Sequence, residues 1–379
     1  MQISSKLPNV GITIFTKMSK MALEYGAINL SQGFPDFDVA PDLIDRVHHY
    51  MKSGMNQYAP MPGVPALREA IANKTEQCYG YKPNVDTEIT VTCGAIEAIH
   101  SSISALVSAG EEVIIMDPAY DAYQPIIELQ GAKAVRVPLT SAYAINWQSV
   151  AEAVTPQTKM ILINSPHNPS GAIISEEDLA ALEEITAGTE ILVLSDEVYE
   201  HIVFDGEMHQ SVFKSEKLRK RCVVTASFGK TFHATGWRMG YLIAPEVLTT
   251  EIRKVHQFNT FTIHTPTQYA LADYLQNPAT YEAVAKMYQQ KRDYFLKAMK
   301  PSKFKPIPSN GTYFQLMDYS AISDKGDIEF AEWLTKEVGV AAIPTSVFYA
   351  DGRDNKVLRF CFAKHEDTLK AAAEKLCAL

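Results

Sequence analysis

Short apolar runs recur along the middle of the chain, separated by helical patterns. They cover 89–93, 113–116, 134–137, 160–163, 191–194, 222–226 and 240–244. They lack clean polar/apolar alternation, which predicts strands covered on both faces. Strands of that kind, joined by helices, build a largely parallel sheet, so the expected fold is α/β. One helix is plain. After Gly94, the residues Ala95, Ile96, Ala98, Ile99, Ile103, Leu106 and Val107 recur at helical spacing, and Gly110 is expected to end it.

Unusual polar residues follow these runs. Gly94-Ala95 follows the first, at a helix start, and Asp117-Pro118-Ala119-Tyr120 the second. Asn164-Ser165-Pro166-His167-Asn168-Pro169-Ser170-Gly171 follows the run that ends at 163. Ser195-Asp196-Glu197-Val198-Tyr199 and Ser227-Phe228-Gly229-Lys230 follow two later ones. Open α/β sheets bind ligands at the carboxyl ends of their strands, so this edge is the expected site.

Lys230 lies just past a strand end, three residues after Ser227 and eight before Arg238. A lysine there can form a Schiff base with an aldehyde, while hydroxyl and guanidinium grip a phosphate. The cofactor that carries both groups is pyridoxal phosphate. Its other needs can be matched to residues. A buried carboxylate must stabilise the protonated pyridine nitrogen, and Asp196 is the candidate; the competing role is a helix N-cap. The ring oxygen needs donors, which Asn168 and Tyr199 supply, unless Asn168 only makes an Asn-Pro turn. The ring face needs an aromatic plate, which Tyr120 offers, unless it is ordinary core. The phosphate needs donors from Gly94 and Ala95 at a helix N-terminus, from Ser227 and from Arg238.

Composition excludes several other classes. A chain of 379 residues suggests a large and a small domain, and 46% hydrophobic with 21% charged residues is the balance of a soluble globular protein. A net charge of −9 leaves no basic footprint for nucleic acid or anionic membrane. The five cysteines are widely spaced with no C-x-x-C pair, so neither a disulfide framework nor a zinc or other metal site is expected, and a reducing cytoplasm fits. Lys17 and Lys20 interrupt the amino-terminal apolar residues, and no segment approaches the ~20 apolar residues of a membrane span.

Taken together, S-F-G-K-T-F-H-A-T-G-W-R-M-G-Y at 227–241, N-S-P-H-N-P-S-G at 164–171 and S-D-E-V-Y at 195–199 resemble the class I pyridoxal-phosphate-dependent aminotransferases. The resemblance runs from N-L-S-Q-G-F-P-D-F at 29–37 to L-R-F-C-F-A at 358–363, in the family's order. Within the class the chain is similar to bacterial methionine aminotransferases and to kynurenine aminotransferases. Ser170, where threonine is common, is one small departure.

The resemblance implies fold type I: a seven-stranded, mostly parallel sheet in a large domain, placed at 46–279, and a smaller α/β domain from 1–45 and 280–379. It implies Lys230 as the Schiff-base lysine, Asp196 at the pyridine nitrogen, Asn168 and Tyr199 at the ring oxygen, Tyr120 on the ring, and Gly94, Ala95, Ser227 and Arg238 at the phosphate. It implies that Arg359 grips the substrate carboxylate, a role that suits a bidentate guanidinium; the competing role is a structural ion pair. Family members are homodimers with shared sites, which implies that Tyr58 reaches the neighbour's phosphate and that Ile263 and His264 line the neighbour's substrate pocket. Phe15 and the loop from Gly33 through Phe34 to Phe37 match substrate-pocket positions.

The expected activity is transfer of an α-amino group from methionine, aromatic or other neutral amino acids to a 2-oxo acid. The segment 258–264 holds no arginine for a distal carboxylate, so aspartate is expected to be a poor donor. A cysteine-S-conjugate β-lyase of the same fold is the rival reading. A pyridoxal-phosphate-binding transcription regulator is a more distant one, because the match begins within the first dozen residues and leaves no room for a DNA-binding domain. Cis peptide bonds are expected at 117–118 and 168–169, where strand-end prolines must aim Tyr120 and Asn168.

Overall fold

A computed structural model of the chain describes residues 3–379. Its largest sheet has seven strands: β2 (Ile89–Thr92), β3 (Glu112–Asp117), β4 (Lys133–Pro138), β5 (Thr158–Asn164), β6 (Leu192–Asp196), β7 (Cys222–Ser227) and β8 (Gly240–Ile243). They are preceded in sequence by β1 (Ile28–Asn29), and their spatial order is β2-β8-β7-β6-β5-β3-β4. Only β8 runs antiparallel to its neighbours, β2 and β7. All seven expected strands are present.

The continuous apolar runs have a simple cause. Successive strand residues face opposite sides of a sheet. In β3, Ile114 and Met116 join one buried cluster while Val113 and Ile115 join another. In β5, Ile161 and Ile163 join the first cluster and Met160 and Leu162 the second. β3 and β5 therefore each feed two cores, and neither of their faces can be polar.

A smaller sheet follows in the carboxyl-terminal third, from β9 (Lys305–Pro306), β10 (Phe314–Asp318), β12 (Ile343–Pro344) and β13 (Val357–Cys361), in the order β12-β13-β10-β9. β1 pairs in parallel with β11 (Val340–Ala341). One core joins Met18 and Leu30 to Tyr288, Phe295, Phe330 and Leu369, so both chain ends share it. Val198, Tyr199, Ile202 and Phe204, just beyond β6, pack into the same core.

One boundary differs from expectation. The helix that starts at Gly94 is Gly94–Leu106, and it ends at Val107 rather than at Gly110. Val107 turns to φ −122°, ψ 125°, which suits a β-branched residue. Gly110, at φ +84°, serves the turn into β3 instead.

Cis peptide bonds occur at Asp117–Pro118 and Asn168–Pro169, as expected, and also at Ser165–Pro166, which was not. Among the described residues, no helix is long and apolar enough to cross a membrane.

Candidate active site

Because β2, β3, β5, β6 and β7 run in parallel, their carboxyl ends share one edge, and β8 starts there. Gly240, the first residue of β8, pairs with Thr92 on one side and Ser227 on the other. A Cβ on Gly240 would sit 2.8 Å from Ala226 O and 2.9 Å from Ala95 N, so only glycine lets the strands close this tightly. That closure sets the helix Gly94–Leu106 beside Ser227 and Arg238.

Gly94 adopts φ +71°, and a Cβ there would lie 2.9 Å from Arg238 Nη2. The guanidinium thus stands over the helix start, where the first-turn N–H groups have no intrahelical acceptor. Arg238 makes no ion pair among the described residues; its Nη1 donates to Thr235 O at 3.2 Å. Gly94→Ala is expected to lower unfolding stability by about 1–3 kcal/mol through backbone strain. It should also weaken phosphate-bearing ligands, because Arg238 must shift. Urea denaturation and cofactor titration check both effects.

A cavity of about 250 Å³ opens at this edge, and its wall includes Phe15, Gly33, Ala95, Tyr120, Asn168, Asp196, Tyr199, Ser227, Lys230, Arg238 and Arg359. Most of the residues singled out in the sequence are brought together here. Tyr58, Ile263 and His264 are not: they share a separate surface hollow with Asn56, Gln57 and Thr262. Tyr58 is 85% exposed, and His264 Nδ1 lies 2.7 Å from Thr267 Oγ1. Phe34 lines the main cavity, whereas Phe37 packs edge-on against His233 and His365, at 5.0 and 5.9 Å between ring centres, and does not line it.

The charged groups of the cavity have unusual surroundings. Asp196 ends β6, is buried and caps no helix. Its Oδ2 accepts from Tyr123 OH at 2.6 Å, and its Oδ1 has only distant donors, Val198 N and Thr225 Oγ1, both at 3.4 Å. Burial raises its pKa to about 6, against the lowering effect of these donors and of Lys230. Lys230 Nζ lies 3.0 Å from Tyr313 OH and 3.5 Å from Gly33 O. Its pKa falls to about 8, first because it is desolvated, with Arg238 and Arg359 acting in the same direction.

Arg359 lies in the middle of β13 and is 1% exposed. Its Nη1 donates to Asn168 Oδ1 at 2.7 Å and its Nη2 to Ser31 O at 3.3 Å, while Nε has no acceptor. No carboxylate pairs with it among the described residues, so the structural ion pair is ruled out. Aromatic rings hold it instead, with Phe314 at 3.8 Å and Phe15 at 5.1 Å. Tyr199 is buried, which pushes its hydroxyl pKa up.

Sequence reasoning missed Tyr123, Asn164, Tyr313 and Phe314. Asn164 Nδ2 donates to Asp196 O at 2.9 Å and Asn164 Oδ1 accepts from Asn168 N at 2.8 Å, which ties two strand-end loops together. Asn164 and Tyr123 were within reach of the strand-end pattern. Asn164 is the last residue of β5, and Tyr123 lies three residues after Tyr120.

This donor set fits pyridoxal phosphate. The cavity presents a buried carboxylate that forms no ion pair among the described residues, a lysine held partly neutral, and a helix start where a Cβ on Gly94 would crowd the Arg238 guanidinium. Among the described residues no cluster could hold a metal ion.

Known proteins resemble the chain throughout its length. It is 52% identical to Escherichia coli methionine aminotransferase over 98% of this chain and 97% of that protein. A crystal structure of that Escherichia coli enzyme matches with a TM-score of 0.98 over 100% of both chains. Human kynurenine–oxoglutarate transaminase 1 is 31% identical over 98% of this chain and 96% of its own length. The structure of Mycobacterium tuberculosis N-succinyldiaminopimelate aminotransferase matches with a TM-score of 0.96 at 36% identity, over 100% of both chains. These neighbours share fold type I. With the family model "Aminotransferase class I and II" matching residues 25–376, the chain belongs to the class I and II aminotransferases and is a pyridoxal-phosphate-dependent transaminase.

Proposed function

We propose that the enzyme moves the α-amino group of methionine, aromatic and other neutral amino acids to a 2-oxo acid, with pyridoxal phosphate held by Lys230. One observation carries the choice of donor. Arg359 is a buried guanidinium with no ion pair among the described residues, the rings of Phe314, Phe15 and Phe348 lie against it, and Phe34, Ile96, Ile99 and Val198 add apolar surface to the same cavity. Among the described residues, the cavity wall holds no cation other than Lys230, Arg238 and Arg359 itself that could meet a distal carboxylate. Aromatic walls suit a thioether, at ~0.3–1.5 kcal/mol per sulfur contact, or another ring. An unpaired carboxylate in the same place would have to be desolvated. The names of the Escherichia coli and human relatives support the same class of donor.

When bound, pyridoxal phosphate supplies an aldehyde that takes the amino group and a protonated pyridine ring that accepts electrons from the α-carbon. The residues do the rest. Arg359 receives the substrate carboxylate on the guanidinium edge that has no protein acceptor. Asn168 gives its carbonyl to Arg359, which leaves its amide free, and with Tyr199 it would donate to the cofactor's ring oxygen. Tyr120 would pack against the ring. Asp196 would keep the pyridine nitrogen protonated. The N–H groups of Gly94 and Ala95, with Ser227 and Arg238, would hold the phosphate. The free amine of Lys230 takes the substrate α-proton and donates it back later, which requires a lysine that is partly neutral near pH 7.

We further propose a cytoplasmic homodimer in which Tyr58, Ile263 and His264 complete the partner copy's site. The position of their hollow outside the main cavity supports a role across a subunit boundary. The five unpaired cysteines fit a reducing compartment. We place the larger unit at 46–279 and the smaller at 1–45 with 280–379.

Specificity constants for methionine, phenylalanine, tyrosine, kynurenine, glutamine and aspartate with one keto acid test the reading. Methionine and the aromatic donors are expected to exceed aspartate about tenfold or more, a difference of ~1.4 kcal/mol. If aspartate gives the largest constant, the pocket assignment is wrong. Keto acid formed without an acceptor would instead point to the β-lyase.

A further inference from the structure

We propose that Tyr123 is a positioning residue whose hydroxyl and ring hold Asp196 and Tyr120 in the arrangement that grips the pyridine ring. The inference rests on the reading that Asp196 faces the ring nitrogen.

A carboxylate turns easily about its last side-chain bond, whose torsional profile is broad and two-fold. Something must therefore fix the plane of Asp196. Only one donor is close: Tyr123 OH reaches Oδ2 at 2.6 Å, the length of a charge-assisted bond. The two contacts to Oδ1 are both at 3.4 Å, near the limit of a hydrogen bond. Tyr123 thus anchors one oxygen and leaves the other under-satisfied. That second oxygen is the one free to receive an N–H from the cofactor ring.

The direction of the bond is not ambiguous. An ionised carboxylate only accepts, and burial beside Asp196 keeps the tyrosine protonated. Tyr123 is itself 3% exposed, within a cluster that includes Ile99, Ile115 and Leu162. Phenylalanine would fill that space equally well, so the hydroxyl needs a separate reason. The ring has a second contact. It meets Tyr120 edge-on, with centroids 5.5 Å apart and planes at 79°. One side chain, at the start of the helix Tyr123–Leu129, therefore braces both the carboxylate and the aromatic plate.

The titratable groups that act on Asp196 come from each surrounding loop. They are Tyr120 and Tyr123 after β3, Tyr199 after β6 and Lys230 after β7. Removing the Tyr123 hydroxyl withdraws the one strong donor to the carboxylate. Asp196 then protonates at a higher pH, and its hold on a protonated ring nitrogen weakens.

The test uses the holoenzyme of Tyr123→Phe. The expected result is a cofactor dissociation constant raised about tenfold, and a pH midpoint of the bound cofactor's visible absorbance moved by more than about half a unit. Turnover should fall most at acid pH and recover in part toward pH 9. An unmoved midpoint with a dissociation constant within twofold of wild type overturns the proposal. Thr225→Val removes the 3.4 Å hydroxyl from the other oxygen with little change of shape. It should move the midpoint by less than about half a unit whether or not Tyr123→Phe folds, and a larger shift also overturns the proposal. Asp196→Asn separates the two readings. If it moves the midpoint and Tyr123→Phe does not, the positioning role alone falls. If Asp196→Asn moves nothing, the assignment of Asp196 falls and takes the positioning role with it.

Discussion

Replacing Lys230 by alanine is expected to lower kcat with methionine by about four orders of magnitude, the upper range of what a positioned general base contributes. The protein should also lose its yellow colour, and borohydride should no longer fix cofactor to the peptide around residue 230. The physical basis is the state of the amine. With a pKa of about 8, roughly a tenth of it is neutral at pH 7, against fewer than one in ~10³ for an ordinary lysine. That readiness has a cost in stability. A lysine whose folded pKa is depressed resists a proton that the unfolded chain accepts. The penalty is present in full below about pH 8 and disappears as pH rises past the ordinary lysine value of 10.5. The depression corresponds to at most roughly 3 kcal/mol, less where water reaches the amine. The cofactor-free Lys230→Ala chain should therefore be more stable than wild type at pH 7, and the advantage should shrink by pH 11. Chemical denaturation at the two pH values checks this. A colourless variant that still transaminates at the wild-type rate would remove Lys230 from the mechanism.

The large sheet was legible because strands covered on both faces leave an unbroken apolar run, and seven such runs stand in the sequence. Their ends were less legible. The run at 191–194 becomes Leu192–Asp196, because the ladder to β7 continues as far as Asp196 opposite Thr225. The smaller sheet left little pattern, since β9 and β12 have two residues each. The strand-end polar residues pointed to the site because parallel strands collect their carboxyl ends at one edge. Tyr313 could not be found that way. Its contact with Lys230 spans 83 residues and exists only once the smaller sheet docks. Tyr58, Ile263 and His264 came from resemblance alone, and a single chain does not bring them to the cavity. The Ser165–Pro166 cis bond had no separate signal in the sequence.

Arg359→Gln should give the second large loss, and of a different kind. The guanidinium is 1% exposed and, among the described residues, forms no ion pair with a carboxylate and has no acceptor for Nε. Buried cations normally pair, so an unpaired one beside a cavity is arranged for an anion that arrives with the substrate. Removing one partner of a buried, hydrogen-bonded charge pair costs about 2–5 kcal/mol. The expected fall in kcat/KM for methionine is therefore on the order of 10²-fold or more, carried mainly by KM. Arg359→Lys should recover little, because a point charge cannot form two parallel bonds with a carboxylate. Cofactor affinity should change little, because the phosphate and ring-nitrogen contacts are made by other residues. Stability separates this role from a structural one. Burial already disfavours the charged form of Arg359, and the rings of Phe314 and Phe15 offset only part of that cost. A neutral glutamine should leave the melting temperature unchanged or raise it. An arginine that served to hold β13 in place would behave the other way, with the melting temperature and cofactor affinity falling together and KM unmoved; that result would remove Arg359 from substrate binding.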